Sequence, residues 1–227
     1  RLIGAVEFIN NKKRWCLWLV GITPAELRKM PLVLQRVEAC KIDRENAPDA
    51  GRRKLAERPT QFREINNPDT FIVVPAVSSE RRRYVPMGFL VKETIATNLV
   101  ITIPDADLYH FGVLTSNVHM AWMRAVCGRL KSDYRYSKDV VYNNFPWPTP
   151  TDAQKEKIEQ TAQAILDARA LYPDSSLADL YDETTMPPEL RKAHQMNDKA
   201  VMLAYGFSVR DMTESKCVAE LMRMYQK

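Results

Sequence analysis

The chain has 227 residues, of which 45% are hydrophobic, enough to bury a core in one large domain or two modest ones. This composition argues against intrinsic disorder. No stretch approaches the roughly 18 uninterrupted apolar residues of a membrane span, so we expect a cytoplasmic protein without membrane contact. The first residue is Arg1, with no methionine or signal-type segment before it, which predicts a part of a longer protein.

The net charge of +5 is unevenly distributed along the chain. Residues 1–148 hold 23 Lys and Arg against 15 Asp and Glu, whereas residues 149–227 hold 10 against 13. A basic first half can hold phosphates and attract a polyanion, and an acidic tail would repel one. Basic residues are also common on solvated faces, so charge alone only suggests such a partner.

Cysteine and histidine show no spacing of the kind that zinc sites use. We therefore expect reduced thiols that pack in the interior, and no metal ligands. The residues concerned are Cys16, Cys40, Cys127, Cys217, His110, His119 and His194.

The first 64 residues predict a hairpin followed by helices. The predominantly apolar segments 5–9 and 15–20, joined by a polar, basic turn, favour two strands. Thr23-Pro24-Ala25-Glu26 has the form of a capping box with proline at the first helical position, which predicts a helix start. Pro31 interrupts that helix, and a second segment runs toward Asn46.

Three β-type runs follow, and we expect them to share one sheet. They span residues 71–77, 84–91 and 99–103. The first two are joined by a short polar connection, Ser78 to Arg83, that ends in three consecutive arginines.

A short helix is predicted over 106–111, and a longer one from Val118 through Leu130. Thr115, Ser116 and Asn117 stand immediately before the longer helix, where hydroxyl and amide side chains act as N-caps. We expect the free amides of this helix start to point outward. The prolines at 146, 148 and 150 exclude a continuing helix, and we interpret them as a domain boundary.

Everything beyond the prolines is predicted to be helical. Thr151 begins a capping box for a long helix that ends near Leu171. Ser176 caps a short turn, Pro187-Pro188 starts a further helix that Gly206 terminates, and an apolar stripe over 218–225 forms the last one. Such a small bundle is near the lower limit of independent stability, so we expect it to dock on the first half.

The sequence contains no motif for catalysis that we would defend. It lacks GxGxxG and GxxxxGK[ST] phosphate loops, a GxSxG nucleophile elbow, an HExxH zinc motif and a compact acidic cluster for magnesium. We therefore expect no catalytic, cofactor or metal site in this chain.

Candidate nucleic-acid contacts lie in the polar turn at Glu80, Arg81, Arg82 and Arg83. Arginine can grip a phosphate or the O6/N7 edge of guanine with two hydrogen bonds, and Glu80 could accept from a cytosine amine. In an extended chain successive side chains point to opposite faces, so at most two of the arginines would share a surface. Salt bridges within the fold are an equally good explanation of these arginines.

The second candidate group is Thr115, Ser116, Asn117 and His119. Unpaired amides at a helix start attract phosphate, short polar side chains can reach base edges, and Asn pairs bidentately with adenine. The alternative is structural: one of the hydroxyls caps the helix, and His119 is a hydrogen-bonded core residue.

Five segments stand out together: SSERRRYVP (78–86), FGVLTSNVHMAW (111–122), the stretch from GRL to YNNFPWP (128–148), LADLY (177–181) and MPP (186–188). In these segments the chain resembles the MmeI-like enzymes, single-chain restriction-modification proteins that fuse a nuclease, an S-adenosylmethionine-dependent adenine methyltransferase and a target-recognition domain. The resemblance covers essentially the whole chain.

The resemblance implies an α+β fold, with a mixed sheet-and-helix target-recognition domain over 1–148 and a small all-α domain over 149–227. It also implies that specificity is set at Ser79–Arg83, Thr115 and Asn117, with double-stranded DNA and the methyltransferase and nuclease domains of the same parent chain as partners. The NPPF-type catalytic motif is absent here, so S-adenosylmethionine and Mg²⁺ are expected in the parent only. The chain would hold the duplex while the target adenine is flipped into the neighbouring catalytic pocket. The alternative is an assembly module that docks the other domains and binds DNA without sequence preference.

Overall fold

Short strands and helices occur in groups along the first two thirds of the chain, and helices form the regular structure of residues 151–226. The computed structural model describes residues 1–65 and 67–226. In chain order, its strands and helices are β1 (Leu2–Ile3), α1 (Ala5–Ile9), α2 (Pro24–Arg28), α3 (Pro31–Glu45), α4 (Ala50–Lys54), β2 (Thr70–Pro75), β3 (Val77–Ser78), β4 (Gly88–Val91), β5 (Ile95–Ala96), β6 (Val100–Pro104), α5 (Leu108–Leu114), α6 (Asn117–Val126), β7 (Gly128–Leu130), β8 (Asp133–Arg135), α7 (Asp152–Ala170), α8 (Leu177–Leu180), α9 (Pro188–Ala204) and α10 (Glu214–Tyr225).

The chain divides into two compact units. One unit combines Arg1–Arg14 with Pro68–Lys227, and the other is Trp15–Asn67. The smaller unit contains α2, α3, α4 and a 3₁₀ turn at Leu55–Glu57. The larger unit contains all the described strands and the helices from α5 onward.

The predicted hairpin near the N-terminus is wrong. Ala5–Ile9 forms the helix α1, and residues 15–20 have no regular structure. The physical reason is that a five-residue segment with four apolar residues fits one helical turn as well as a strand. Glu7 decides in favour of the helix, because its Oε2 accepts a hydrogen bond from the Gly4 N–H at 2.8 Å.

The helix starts predicted in the smaller unit are confirmed. Thr23 Oγ1 accepts from the Glu26 N–H, Glu26 accepts in return from the Thr23 N–H, and Pro24 occupies the first helical position of α2. Pro31 begins α3.

The three predicted β-runs do share one sheet, in which β4, β2 and β6 lie in that order and pair antiparallel. Phe71 on β2 is paired with Leu90 on one side and with Pro104 on the other. The second run is shorter than predicted, since residues 84–87 are buried but outside the ladder. Pro86 in that stretch has no N–H to donate to a neighbouring strand.

A second small sheet carries the polar turn. In it β3, β8 and β7 pair antiparallel, with Ser78 opposite Tyr134. Its hairpin is the reason why α6 ends at Val126 rather than at the predicted Leu130. Residues 128–130 form β7, and Lys131 adopts a positive φ of 56° in the tight turn to β8.

The C-terminal helices begin and end where the sequence predicts. Thr151 caps α7, Ser176 caps α8, and Gly206 takes a left-handed φ of 72° just beyond α9. They share one hydrophobic core with the sheet and with α5 and α6, which includes Ile72, Trp122, Ile165 and Leu221. The helical segment therefore docks on the preceding half, and the boundary at 148/149 stays a prediction, because the core continues across it.

Candidate nucleic-acid interface

The polar turn leaves β3 at a fixed position. The Arg82 N–H donates to the Ser79 carbonyl at 3.1 Å and closes the turn. The Glu80 N–H reaches Asp133 Oδ1, on β8, at 3.4 Å. We call residues Ser79–Arg83 the arginine turn. Its backbone is tied to the small sheet, which leaves its side chains available to the surface.

The arginine turn forms one wall of a cleft of about 510 Å³. The opposite walls come from the start of α6 and the start of α10. The residues that line the cleft are Glu80, Arg81, Arg82, Arg83, Tyr84, Asn117, Val118, Ala121, Arg124, Tyr134, Glu183, Met202, Met212, Thr213, Glu214 and Cys217. All three arginines of the turn thus face one cleft, which corrects the expectation that at most two would share a surface. The turn is closed rather than extended, so the alternation of an extended chain does not apply.

The charges of the turn are only partly compensated. Arg81 and Arg83 are exposed. Arg82 is half-buried, and its pKa is lowered by burial, although Asp133 and Asp182 act in the opposite direction. Within residues 1–65 and 67–226, no carboxylate lies within ion-pair distance of these three guanidinium groups. The salt-bridge explanation of the arginines is therefore not what the structure presents.

Arg124 on α6 connects the turn to α10. It makes a two-point ion pair with Glu214, with Nε to Oε1 at 2.7 Å and Nη2 to Oε2 at 3.0 Å. Its remaining nitrogen, Nη1, donates to the Arg83 carbonyl at 3.2 Å. One planar guanidinium thereby fixes the end of the arginine turn against the last helix.

The hydroxyl residues before α6 are buried structural groups. Thr115 Oγ1 donates to the Phe111 carbonyl at 2.7 Å, and Ser116 Oγ donates to the Val113 carbonyl at 2.7 Å. Ser116 is also the N-cap, because its Oγ accepts from the His119 N–H. Both side chains are 0% exposed. The structure therefore presents the capping arrangement, which was the structural alternative at this helix start.

His119 is likewise enclosed. Its Nε2 lies 2.8 Å from the Tyr136 hydroxyl, and its ring packs edge-on against Phe145. Burial lowers the pKa of His119 to about 3, so the ring is neutral at physiological pH. In this structure His119 supports the core and does not reach the cleft.

Asn117 lines the cleft, but its backbone amide is not free. The Asn117 N–H donates to Asp198 Oδ1 at 2.7 Å, and its side-chain amide lies 3.5 Å from the Met202 sulfur. The prediction that the amides at this helix start point outward is wrong for Asn117, because a carboxylate from α9 already occupies the position where a phosphate would bind.

Tyr84, which lines the cleft, and its buried partner Asp198 were missed by sequence reasoning. The Tyr84 hydroxyl donates to Asp198 Oδ2 at 2.7 Å, and the Tyr84 ring stacks on His194 with centroids 4.2 Å apart. Burial raises the pKa of Asp198 to about 6, while both of its hydrogen bonds act to lower it. No local sequence signal marks these partners, since Tyr84 and Asp198 are 114 positions apart.

Two negative findings apply to residues 1–65 and 67–226. No three His, Cys, Asp or Glu residues come together in a group that could hold a metal ion. No helix in that part of the chain combines the length and the apolar character needed to cross a membrane.

The chain matches two family models that together cover it. Residues 1–149 match the MmeI target recognition domain, and residues 150–227 match the MmeI C-terminal domain. The α+β class predicted from the sequence is confirmed by the mixture of helices and small antiparallel sheets.

One curated relative and one solved structure are similar over the full chain. DNA methyltransferase A of Bacillus subtilis (strain 168) is 42% identical over 228 residues. A structure of the Type IIL restriction-modification enzyme MmeI in complex with DNA superposes with a TM-score of 0.96 at 47% identity. The chain spans 26% of the first protein and 30% of the second.

Proposed function

We propose that this chain, which belongs to the MmeI family through that family's target recognition and C-terminal domains, reads the sequence of duplex DNA for a larger adenine-specific methyltransferase and restriction enzyme. The observation that carries the proposal is the single cleft that collects the three arginines of the arginine turn without ion-pair partners. The resemblance to an enzyme solved in complex with DNA supports it.

The chemistry of the turn suits a base edge beside a phosphate backbone. Arg81 and Arg83 are exposed guanidinium groups that can bind phosphate or guanine O6 and N7. Glu80 is exposed too and can accept from the N4 amine of cytosine. Because the turn backbone is anchored at Ser79 and by Arg124, these side chains start from fixed positions, as sequence discrimination requires.

The proposed contacts divide by burial. Ser79, Glu80, Arg81, Arg82 and Arg83 form the contacting set, with Asn117 at the edge of the cleft. We assign the buried Thr115, Ser116 and His119 to supporting this surface rather than to touching DNA.

Methyl transfer and cleavage would belong to other domains of the parent chain. S-adenosylmethionine and Mg²⁺ would bind there, and the present residues would hold the duplex while the target adenine is flipped into the methyltransferase pocket. The parent would act in the cytoplasm, where the bacterial chromosome lies.

The test is binding of a labelled duplex of mixed sequence, followed by fluorescence anisotropy across a salt series. Replacing Arg81, Arg82 and Arg83 together by Ala should weaken binding at least tenfold, since about three phosphate or base contacts are lost. The slope of log affinity against log salt should fall by up to about 3, at about 0.9 per lost phosphate contact.

A matched control removes the same charge elsewhere. Lys157, Lys192 and Lys199 are exposed on α7 and α9 and do not line the cleft. Their joint replacement by Ala should change affinity less than threefold. Equal losses in the two triple variants would mean that net charge alone attracts DNA. Absence of binding by the folded chain at low salt would favour the alternative function, an assembly module of the parent enzyme.

A further inference from the structure

Asp198 is a buried carboxylate that holds two distant segments of the cleft at once. It lies on α9 and is 5% exposed. Its Oδ2 accepts from the Tyr84 hydroxyl and its Oδ1 from the Asn117 N–H, both at 2.7 Å. Tyr84 directly follows the arginine turn, and Asn117 begins α6. One side chain of the C-terminal helices therefore joins both parts of the proposed reading surface.

A neighbouring residue on α9 strengthens the hold on Tyr84. The His194 ring stacks on Tyr84 at 4.2 Å with an interplanar angle of 21°, and Tyr181 fixes that ring through a 2.8 Å hydrogen bond to Nε2. Tyr84 itself is 3% exposed. Its ring has no freedom to swing, so the direction in which the chain leaves the arginine turn is set by α9.

Helix α10 helps to hold Arg83, the residue before Tyr84. Glu214 of α10 orients Arg124, and Arg124 donates to the Arg83 carbonyl at 3.2 Å. The two consecutive residues 83 and 84 are thus held from α6, α9 and α10. The hold from α9 has a cost in free energy, because the buried carboxylate of Asp198 loses its hydration.

The N-cap of α6 does not require an aspartate at position 198. Ser116 already caps α6, so the helix start has a satisfied N-cap without Asp198. A neutral residue at 198 could fill the same space with no charge to bury. Burial also raises the pKa of Asp198 to about 6, which shows that the ionised form is disfavoured by its surroundings. What the carboxylate adds is two acceptor atoms that fix Tyr84 and Asn117 relative to each other.

We infer that Asp198 is a positioning residue for DNA reading: through Tyr84 and Asn117 it sets the geometry of the arginine turn relative to α6, so that the C-terminal helices determine sequence preference without touching a base. This inference rests on the proposed function. It assigns the C-terminal domain a part in specificity, because placing a bidentate contact is sensitive to small displacements.

The test separates preference from affinity. A pool of duplexes with a randomised core is selected on the unaltered chain, and affinity is then measured for the selected sequence and for a mixed-sequence duplex. Asp198→Asn keeps the shape of the side chain but replaces one acceptor by a donor, and Tyr84→Phe removes the hydroxyl without changing the charge. Each variant should lower the ratio of the two affinities by about tenfold or more, as expected for one displaced bidentate contact. Affinity for the mixed duplex and its salt slope should change less than twofold.

The double variant and a stability control sharpen the result. Asp198→Asn combined with Tyr84→Phe should lose no more preference than the larger single effect, because both changes break the same link. Thr151→Ala removes the N-cap of α7, outside the cleft, and so lowers stability without touching the link between Asp198 and Tyr84. It should leave the affinity ratio unchanged.

The outcomes distinguish this inference from the proposed function. If the unaltered chain selects no sequence, both fail together. If it selects a sequence and both single variants keep the ratio within twofold, the positioning role is overturned and the reading function stands. A similar loss in Thr151→Ala would reduce Asp198 to a stabilising residue. If Asp198→Asn does not fold, Tyr84→Phe decides.

Discussion

The arginine turn and the start of α6 are both short polar segments, yet they occupy opposite environments. Residues 80–83 line an open cleft, and backbone hydrogen bonds hold the turn in place. Thr115, Ser116 and His119 are 0% exposed, and their side chains hydrogen-bond within the core. Polar side chains are thus exposed to a cleft in one region and enclosed in the core in the other.

The difference follows from what each segment connects. The arginine turn joins a two-residue edge strand to a buried loop, so most of its side chains are exposed, with Ser79 and Arg82 half-buried. The start of α6 lies between two helices that are buried against α7 and α9, so each polar group must find an internal partner. Replacing residues in the first region should alter binding, and replacing residues in the second should alter stability.

The largest effect on stability is expected from His119→Ala. The change removes a fully buried ring and leaves the Tyr136 hydroxyl without its partner. Cavity formation and the unpaired hydroxyl together should lower the free energy of unfolding by about 3 kcal/mol or more, measured by urea denaturation. Gln195→Ala, on the exposed face of α9, is the control and should stay within about 0.5 kcal/mol. A loss below about 1 kcal/mol for His119→Ala would place that ring outside the core.

The next effect is a loss of stability in acid. The pKa of His119 is lowered by burial to about 3, and that of His194 lies well below its ordinary value. Unfolding lets both rings bind protons below about pH 6.5, which destabilises the fold as the pH falls. Asp198 opposes this, because its pKa of about 6 in the folded chain makes it take up a proton on folding. Unfolding binds two protons at the histidines and releases one from Asp198, so the fold should lose about 1 kcal/mol of stability per pH unit between pH 6 and 5.

Two variants test the assignment of that slope. His119→Phe removes one titrating ring, so the slope between pH 6 and 5 should fall close to zero. Asp198→Asn removes the opposing carboxyl, so the slope should become about twice as steep. Urea denaturation at pH 6.0, 5.5 and 5.0 measures both. An unchanged slope in His119→Phe would show that His119 is not kept neutral by the fold.

The elements that the sequence predicts well are those with local signals. Thr23, Thr151 and Ser176 each cap a helix with a side chain that bonds three residues ahead, so the information lies within one turn. The prediction for residues 5–9 was wrong, because a short segment with four apolar residues of five fits either a strand or a helix. The arginine turn was found because polar residues between two buried strands have few other places to lie.

The rest of the site depends on long-range contacts. Asp198 bonds Tyr84 across 114 positions, and Arg124 bonds Glu214 across 90. No spacing rule connects such pairs, since their meeting depends on how α9 and α10 pack against the sheet and α6. The burial of Thr115 and Ser116 could not be predicted for the same reason. The sequence shows that these residues can cap a helix, but not which face of that helix is covered by other elements.

The smallest change in stability separates the two regions most directly. Ser116→Ala removes the N-cap of α6 and should cost about 1 kcal/mol of stability, whereas Arg81→Ala removes an exposed side chain and should cost less than about 0.5 kcal/mol.

The two variants should rank in the opposite order when affinity for duplex DNA is measured. Arg81→Ala should weaken binding to the labelled duplex and lower the salt slope by about 1, because one phosphate contact is lost. Ser116→Ala should bind normally under conditions where it is fully folded, since its hydroxyl is bonded to the Val113 carbonyl and to the His119 N–H. Weaker binding by folded Ser116→Ala with unchanged binding by Arg81→Ala would reverse the roles assigned to the two regions and move the reading surface to the start of α6.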